Sequence, residues 1–142
     1  MNNLEQNKSG FTLIEIIVVL IIVGVLVSIS LPNLFRQIER NRAQKALNTM
    51  NYIRAAIESC GVNNNNSFDT SCDQFSQLNI DNPNNTEFSF AITGTNATST
   101  DVGGYTITAT RQGAVGGNTV KLTRSTTGLL TCEGEGNYAG FC

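Results

Sequence analysis

The chain has 142 residues with 9 basic and 11 acidic side chains and no histidine, so its formal net charge at pH 7 is −2. This length suits a single domain, and the near-balance of charge gives no basic field of the kind that binds nucleic acid. A serine or cysteine nucleophile would lack histidine as its usual base, and the acidic residues show no pairing suited to acid–base chemistry. The sequence therefore argues against an enzyme.

The first ten residues, MNNLEQNKSG, are polar and lead directly into an apolar run. A secretory signal has a similar plan, with a charged start, an apolar stretch and a cleavage site of small residues. The apolar run is longer than a signal core of about 7–15 residues, and no such cleavage site follows it. A signal anchor that is never cut remains an alternative on composition alone.

Residues 11–31, FTLIEIIVVLIIVGVLVSISL, contain one charged side chain, Glu15. A helix of this length spans about 30 Å, which is the thickness of the hydrocarbon core of a bilayer. The remainder of the chain is polar and rich in Asn, Thr, Ser and Gly. The sequence therefore predicts one membrane-spanning helix and one small head that faces water.

Glu15 is anomalous, because a carboxylate inside a membrane helix is costly and usually marks a function. One interpretation is that Glu15, near the end of the run, reaches the lipid headgroups. The other gives its charge a partner, although no Lys or Arg occurs between Lys8 and Arg36. A cut after Gly10 would create the α-amino group of Phe11, roughly one turn away and within reach of a shifted neighbouring helix. Such a pair would make assembly favourable and specific for register.

After Pro32, apolar residues recur at three- and four-residue steps with basic residues between them, which predicts an amphipathic helix. Pro32 removes one backbone hydrogen bond and predicts a kink rather than an end. Gly61 is typical of a helix stop. We therefore expect one long bent helix over Phe11–Cys60, with its stripe from Phe35 to Ile57 against the core.

The rest of the chain predicts a small sheet. Two asparagine clusters, at 63–66 and 82–85, indicate turns, and residues 72–78 between them suit one helical turn. Alternating, threonine-rich runs bounded by glycines then predict four strands of an antiparallel meander. The fold class is α+β, with a long helix, half membrane-spanning and half amphipathic, packed on the sheet. The predicted strands are Glu87–Thr93, Tyr105–Thr110, Thr119–Arg124 and Leu129–Cys132.

Four cysteines, Cys60, Cys72, Cys132 and Cys142, all lie beyond the apolar run. An even number in a small, loop-rich, exported head predicts two disulfides and an oxidising compartment. Their spacing does not fit a zinc site, and the aspartates lack the spacing of a calcium loop, so no metal is expected. Four cysteines allow three connectivities. We favour Cys60–Cys72 with Cys132–Cys142, because short loops close at the least entropic cost.

The stretch from Lys8 to Glu15, Lys-Ser-Gly-Phe-Thr-Leu-Ile-Glu, followed by the apolar run and Pro32, resembles the amino terminus of class III-signal prepilins. These are the type IV pilins and the pseudopilins of type II secretion. The resemblance is close over residues 8–32 and loose over the following helix, and the head shares only a general plan of helix, loop, sheet and Cys-closed terminus.

The resemblance implies three parts of the chain and a role for each. Residues 1–10 would be a leader that a membrane prepilin peptidase removes between Gly10 and Phe11, with N-methylation of Phe11. Residues 11–31 would be the membrane helix and filament core, in which Glu15 neutralises the Phe11 amine of an adjacent subunit. Residues 32–142 would form the pilin head, capped by the disulfide loop at its end.

The expected function is that of a structural subunit of a type IV pilus-like filament. Its partners would be further copies of itself, the prepilin peptidase/methyltransferase and the inner-membrane assembly machinery, with no cofactor. One alternative is a pseudopilin of a type II secretion system, and another is a membrane-anchored binding module that never polymerises.

The expected location is the bacterial inner membrane, with the head outside the cytoplasm, and then an extracellular or periplasmic filament. Arg36, Arg40, Arg42 and Lys45 outnumber Lys8, so the positive-inside rule by itself would place the head in the cytoplasm. The disulfides and the resemblance both favour the outside, and together they outweigh the charge count.

Overall fold

The computed structural model describes residues 10–68, 71–95, 103–113 and 118–142. One long helix is followed by four strands and a short 3-10 helix, which confirms the predicted α+β class. The elements are α1 Leu13–Asn63, β1 Phe88–Gly94, β2 Tyr105–Arg111, β3 Thr119–Arg124, β4 Leu130–Gly134 and the 3-10 helix Gly136–Tyr138.

The chain divides into two compact units at the bond between Gln37 and Ile38. The described part of the first unit consists of residues 10–37 and is almost entirely helical. The second unit runs from Ile38 to Cys142 and contains the rest of α1 and all four strands. We call this second unit the head.

The end of α1 differs from the prediction, because Gly61 is not the helix stop. The helix continues to Asn63, and Asn65 and Asn66 then adopt positive φ angles of 53° and 59°, a conformation that asparagine tolerates better than most residues. Gly61 is buried, and the ring of Phe68 occupies the space that a side chain at Gly61 would need. This glycine therefore serves close packing rather than chain reversal.

The four strands form one sheet in the order β1-β2-β3-β4, and every neighbouring pair is antiparallel. The predicted meander is confirmed, with strand ends that differ by one or two residues. Residues 71–79 form turns, and the Leu78 amide donates to the Gln74 carbonyl oxygen at 3.3 Å, as in the single helical turn predicted for residues 72–78. Side chains alternate between the two faces, so buried Ile107 and Leu122 lie in one row on the inner face while Thr106 and Thr123 lie in the adjacent row on the outer face.

The core of the head lies between α1 and the inner face of the sheet. The helix stripe is shorter than predicted, because Leu34, Phe35 and Ile38 are 54%, 62% and 38% exposed. Helical periodicity indicates an apolar side but not which neighbour covers it. The fully or nearly fully buried apolar residues of the described head include Ala43, Ala46, Met50, Ile53, Ile57, Phe90, Ile107, Ala109 and Val120.

Two disulfides close loops at the edges of this core. Cys60 pairs with Cys72 and Cys132 pairs with Cys142, with Cα–Cα distances of 5.9 and 5.5 Å. These are the two pairs with the shortest loops. The first joins the last turns of α1 to the following loop, and the second joins β4 to the C-terminal residue. A disulfide that closes a loop of this size typically stabilises the folded protein by about 2–4 kcal/mol.

A group of polar contacts that we call the Glu58 clamp joins α1 to the sheet. Glu58 Oε1 accepts a hydrogen bond from the Tyr105 hydroxyl at 2.7 Å and lies 3.2 Å from Arg124 Nε. Arg124 also donates to the carbonyl oxygen of Gly103 at 2.6 Å, and its guanidinium lies 5.1 Å from the centre of the Phe68 ring. A helix carboxylate is thereby held by a hydroxyl and a cation from the sheet.

The Glu39 clamp repeats this arrangement nineteen residues earlier in α1, about 28 Å away along the helix axis. Glu39 Oε2 accepts a hydrogen bond from the Tyr138 hydroxyl at 3.0 Å and lies 3.8 Å from Arg111 Nε. Arg111 is 9% exposed, donates to the Glu87 carbonyl oxygen at 2.9 Å, and lies 5.7 Å from the centre of the Phe88 ring. Both ends of the head helix are therefore fixed by the same kind of contact.

Both clamps hold their tyrosine in the neutral form. Burial first, and then the hydrogen bond and negative charge of Glu39, raise the pKa of Tyr138 from 10.0 to about 12. Burial and Glu58 likewise raise the pKa of Tyr105 well above its usual value. A tyrosine whose pKa is higher in the folded chain than in the unfolded chain contributes to stability. This contribution is complete at pH values below the unfolded pKa. That contribution is lost as the pH rises through the folded pKa.

We therefore expect Tyr138→Phe to flatten the pH dependence of stability between pH 10.0 and about 12. In the wild-type chain the free energy of unfolding falls across this range, because ionisation would place a phenolate against the Glu39 carboxylate. The variant loses a hydrogen bond to a charged group, which costs about 1.5–3 kcal/mol at neutral pH. Denaturant unfolding of the purified full chain in detergent, at neutral pH and across this alkaline range, measures both effects.

Tyr52→Phe is the matched control, since Tyr52 is 58% exposed and makes no hydrogen bond to another described residue. Its stability profile should follow the wild type. An alkaline slope that is the same in Tyr138→Phe as in the wild type would contradict the role given to the Glu39 clamp.

Candidate functional site

The described part of the first unit is dominated by exposed apolar surface. Every large apolar side chain from Phe11 to Leu31 is between 42% and 80% exposed. The helix is long and apolar enough to cross a membrane, and none of its most apolar segment is buried. Exposing apolar surface to water costs about 25 cal/mol per Å², so this segment requires a lipid or protein environment.

The start of α1 is fixed by Thr12. The Glu15 amide donates to Thr12 Oγ1 at 3.4 Å and to the Thr12 carbonyl oxygen at 3.1 Å, so Thr12 acts as the N-cap residue. The spacing Thr-x-x-Glu is that of a capping box, a sequence signal from which this role could have been read. Glu15 lies in the first turn, where a carboxylate is favoured by the helix dipole. Glu15 therefore has a local stabilising position whether or not it pairs with a second chain.

The predicted cleavage site lies just before this cap. Gly10 and Phe11 are both exposed and belong to no helix or strand, and the rest of the predicted leader lies outside the described residues. Phe11 precedes Glu15 by four residues, about one helical turn. Cleavage after Gly10, methylation of Phe11 and pairing of Glu15 with a neighbour's amine involve events beyond a single uncut chain, and they stay predictions.

The two serine hydroxyls of the apolar segment find partners within the helix. Ser28 Oγ donates to the Val25 carbonyl oxygen at 2.7 Å, and Ser30 Oγ donates to the Leu26 carbonyl oxygen at 2.9 Å. Such bonds satisfy a hydroxyl where no water is present. The helix continues through Pro32, which has no N–H to offer the carbonyl of Ser28. The kink at Pro32 stays a prediction.

Metal and thiol chemistry find no support in the part of the chain that the structure describes. There, no group of three or more His, Cys, Asp or Glu residues is arranged to hold a metal ion. Cys60, Cys72, Cys132 and Cys142 are all in disulfides. The arrangement that remains is a bare apolar helix with one carboxylate in its first turn.

Comparison with known proteins identifies the same segment. Residues 6–31 match the family described as the prokaryotic N-terminal methylation motif. This range contains the Gly10–Phe11 bond and Glu15, and it ends at Leu31, directly before Pro32. No solved structure matches the chain.

Proteins of two kinds are similar to this chain. The type II secretion system core protein G of Aeromonas hydrophila is 36% identical over 61 residues, covering 43% of each chain. That of Pectobacterium carotovorum is 41% identical over 58 residues, covering 41% of this chain and 37% of its own. The type IV major fimbrial protein FimA of Dichelobacter nodosus is 33% identical over 57 residues, covering 40% of this chain and 36% of its own.

The chain thus spans about two fifths of the length of these curated relatives. The motif match and both kinds of relative agree with the resemblance read from residues 8–32. Residues 6–31 of this chain thus match the prokaryotic N-terminal methylation motif, and the chain is similar over about 60 residues to a type IV fimbrial protein and to type II secretion core proteins.

Proposed function

We propose that the chain is the precursor of a structural subunit of a type IV pilus-like filament and polymerises through α1. The observation that carries this proposal is the exposed apolar surface from Phe11 to Leu31, which lies within a methylation motif. Lipid covers this surface before assembly, and the same segment of neighbouring subunits covers it afterwards. Because one apolar environment replaces another, the exchange has little net hydrophobic cost in either direction, which suits a filament that extends and retracts.

Glu15 gives this assembly its register. Its carboxylate has no basic side chain within the apolar segment, since the sequence has no Lys or Arg between Lys8 and Arg36. After cleavage, the cation nearest to it in sequence is the α-amino group of Phe11. Pairing between Glu15 of one subunit and Phe11 of the next neutralises two charges in a low-dielectric core and disfavours other offsets between helices.

The head is proposed to lie outside the cytoplasm. Two disulfides support this location, because they form and persist in oxidising compartments. The subunit would be held in the bacterial inner membrane until the prepilin peptidase/methyltransferase and the assembly machinery act on it. It would then enter an extracellular or periplasmic filament. This role is structural and requires no catalytic group, cofactor or metal.

A pseudopilin of a type II secretion system is the second candidate. It is favoured by the similarity to core protein G of Aeromonas hydrophila and Pectobacterium carotovorum, which is at least as high as the similarity to FimA. A strain that lacks the gene separates the two. Loss of surface filaments supports the pilin, whereas loss of protein secretion with filaments intact supports the pseudopilin.

We expect the chain in purified filaments to begin at N-methylated Phe11. The Gly10–Phe11 bond is exposed and lies outside regular structure, as a peptidase substrate requires. Intact-mass measurement and mapping of the N-terminal peptide give the result directly. Recovery of residues 1–10 in the assembled form would contradict the proposal, and an uncut, unassembled chain in the membrane would favour an anchored module.

We expect Glu15→Val to abolish or sharply reduce filament assembly while the chain still inserts into the membrane. Insertion should improve slightly because an apolar side chain replaces a costly carboxylate. Assembly should fail because the neighbour's amine would be buried without its partner, at a cost of about 3–5 kcal/mol. Glu15→Asp should be intermediate, since the charge remains but its reach is shorter. Membrane levels and sheared filament yield are compared in a strain without the wild-type gene.

Ile14→Val is the matched control for this series, because it changes an exposed apolar neighbour of Glu15 without changing charge. It should assemble like the wild type. If Glu15→Val also assembles like the wild type, the carboxylate only reaches the headgroups and the registration mechanism is wrong. Where Glu15→Val is lost from the membrane, crosslinking between position 15 and the neighbour's amino terminus in Glu15→Asp filaments replaces the yield measurement.

A further inference from the structure

The two sequence segments of the head differ in net charge. The head part of α1, residues 38–63, has four basic and two acidic side chains, a net charge of +2, whereas residues 64–142 have three basic and seven acidic side chains, a net charge of −4. Both helix carboxylates, Glu39 and Glu58, are engaged in the clamps to the sheet. Arg42 pairs with Glu39 and Glu87, so the exposed positive charge on this part of the helix comes from Arg40 and Lys45.

The solvent side of α1 carries a regular set of exposed residues, which we call the helix outer side. Asn41, Lys45, Asn48 and Tyr52 follow one another at steps of four, three and four and are all exposed, as expected for one side of a helix. Arg40 lies beside them and is also exposed. Neither Lys45 nor Arg40 forms an ion pair with another described residue.

The outer face of the sheet has the opposite sign at its β4 edge. Register places Thr108, Lys121 and Glu133 in one row, and this row points away from the core because the neighbouring residues Ile107 and Leu122 face the helix. Lys121 is neutralised by Glu135, at 2.6 Å between Nζ and Oε1. Glu133 is exposed and forms no ion pair within 4.0 Å with another described residue. It leaves a net negative charge on the side of the head opposite the helix.

We propose, building on the filament function above, that the helix outer side around Lys45 docks on the Glu133 edge of the sheet of a second copy of this chain. Opposite charges on opposite sides of one head favour head-to-tail contact, and like-charged sides repel one another in any other pairing. A head-to-tail contact uses two different surfaces and does not close on itself, so it propagates as a helical filament.

The uncharged groups around these charges suit the same contact. Tyr52 is 58% exposed on the helix outer side, and tyrosine is a frequent anchor of protein interfaces. Asn41 and Asn48 can hydrogen-bond to the threonine hydroxyls that surround the Glu133 row. An anionic membrane would also attract Lys45, but it would give no role to the acidic edge. A second copy accounts for both charged surfaces.

Zero-length carbodiimide crosslinking of intact filaments tests the contact. Beyond residue 10 the chain has only two lysines, Lys45 and Lys121, so few products are possible. Filaments assembled from a mixture of light and heavy isotope-labelled subunits should give a Lys45–Glu133 link that joins one light and one heavy peptide. The Lys121–Glu135 link within one chain is the internal positive control, because its atoms are 2.6 Å apart. Recovery of the control link without a Lys45–Glu133 link would overturn the proposal.

Charge reversal gives a second, independent readout in the full chain. Lys45→Glu should lower sheared filament yield by about 3- to 10-fold, as expected for the reversal of one exposed pair at each subunit. Adding Glu133→Lys should restore the yield to within about 2-fold of wild type, since the pair is then reversed rather than removed. Lys45→Gln, which removes charge without repulsion, should lie between the wild type and Lys45→Glu. Both positions are exposed, and mapping of the two disulfides verifies that each variant head has folded.

The remaining outcomes are also decisive. A normal yield for Lys45→Glu, or a loss that Glu133→Lys does not repair, overturns the docking proposal while the filament function stands. A loss of Lys45→Glu from the membrane before assembly means that the helix outer side binds lipid, which overturns it as well. A wild-type chain that forms no filament at all contradicts the proposed function itself and this contact with it.

Discussion

The apolar surface from Phe11 to Leu31 has to be kept out of water, and the other features of this segment follow from that constraint. Thr12 caps the helix at the point where this surface begins, and Ser28 and Ser30 return their hydroxyl groups to the backbone within it. Only Glu15 carries a charge there. A segment of this kind is stable in lipid or among copies of itself, so in the proposed filament one environment would replace the other without exposing the segment to water.

The head meets a different requirement, because it has to stay fixed to the same helix. Glu58 and Glu39 bind the sheet at two points along α1, and each clamp includes an aromatic residue that a disulfide loop carries. Phe68 of the Glu58 clamp lies in the loop closed by Cys60–Cys72, and Tyr138 of the Glu39 clamp lies in the loop closed by Cys132–Cys142. Loss of either disulfide would therefore loosen a clamp as well as a loop. Because the carboxylates of Glu39 and Glu58 are engaged in the clamps, the charges that remain exposed on the outer side of α1 are basic.

Patterns that repeat along the chain could be predicted from the sequence, and contacts between distant residues could not. Three patterns of local spacing predicted the structure correctly. The apolar run predicted the helix, the period of two predicted the strands, and the short cysteine loops predicted the two disulfide pairs. The prediction that Gly61 ends the helix is wrong, because the small size of this residue makes room for the Phe68 ring. The pairing of Glu58 with Tyr105 spans 47 residues, and no local pattern indicates it. The N-cap role of Thr12 is also missing from the predictions, although a local pattern, the Thr-x-x-Glu spacing, indicates it.

The most direct measurement is a cryo-EM reconstruction of sheared filaments at a resolution that shows side chains. We expect residues 13–31 of adjacent subunits to pack against one another in a dry filament core. The Glu15 carboxylate should lie within ion-pair distance, about 4 Å, of the methylated Phe11 amine of a neighbouring subunit. A filament whose subunits retain residues 1–10, or whose core leaves the apolar segment exposed and Glu15 far from every amine, would contradict this account of how the chain assembles.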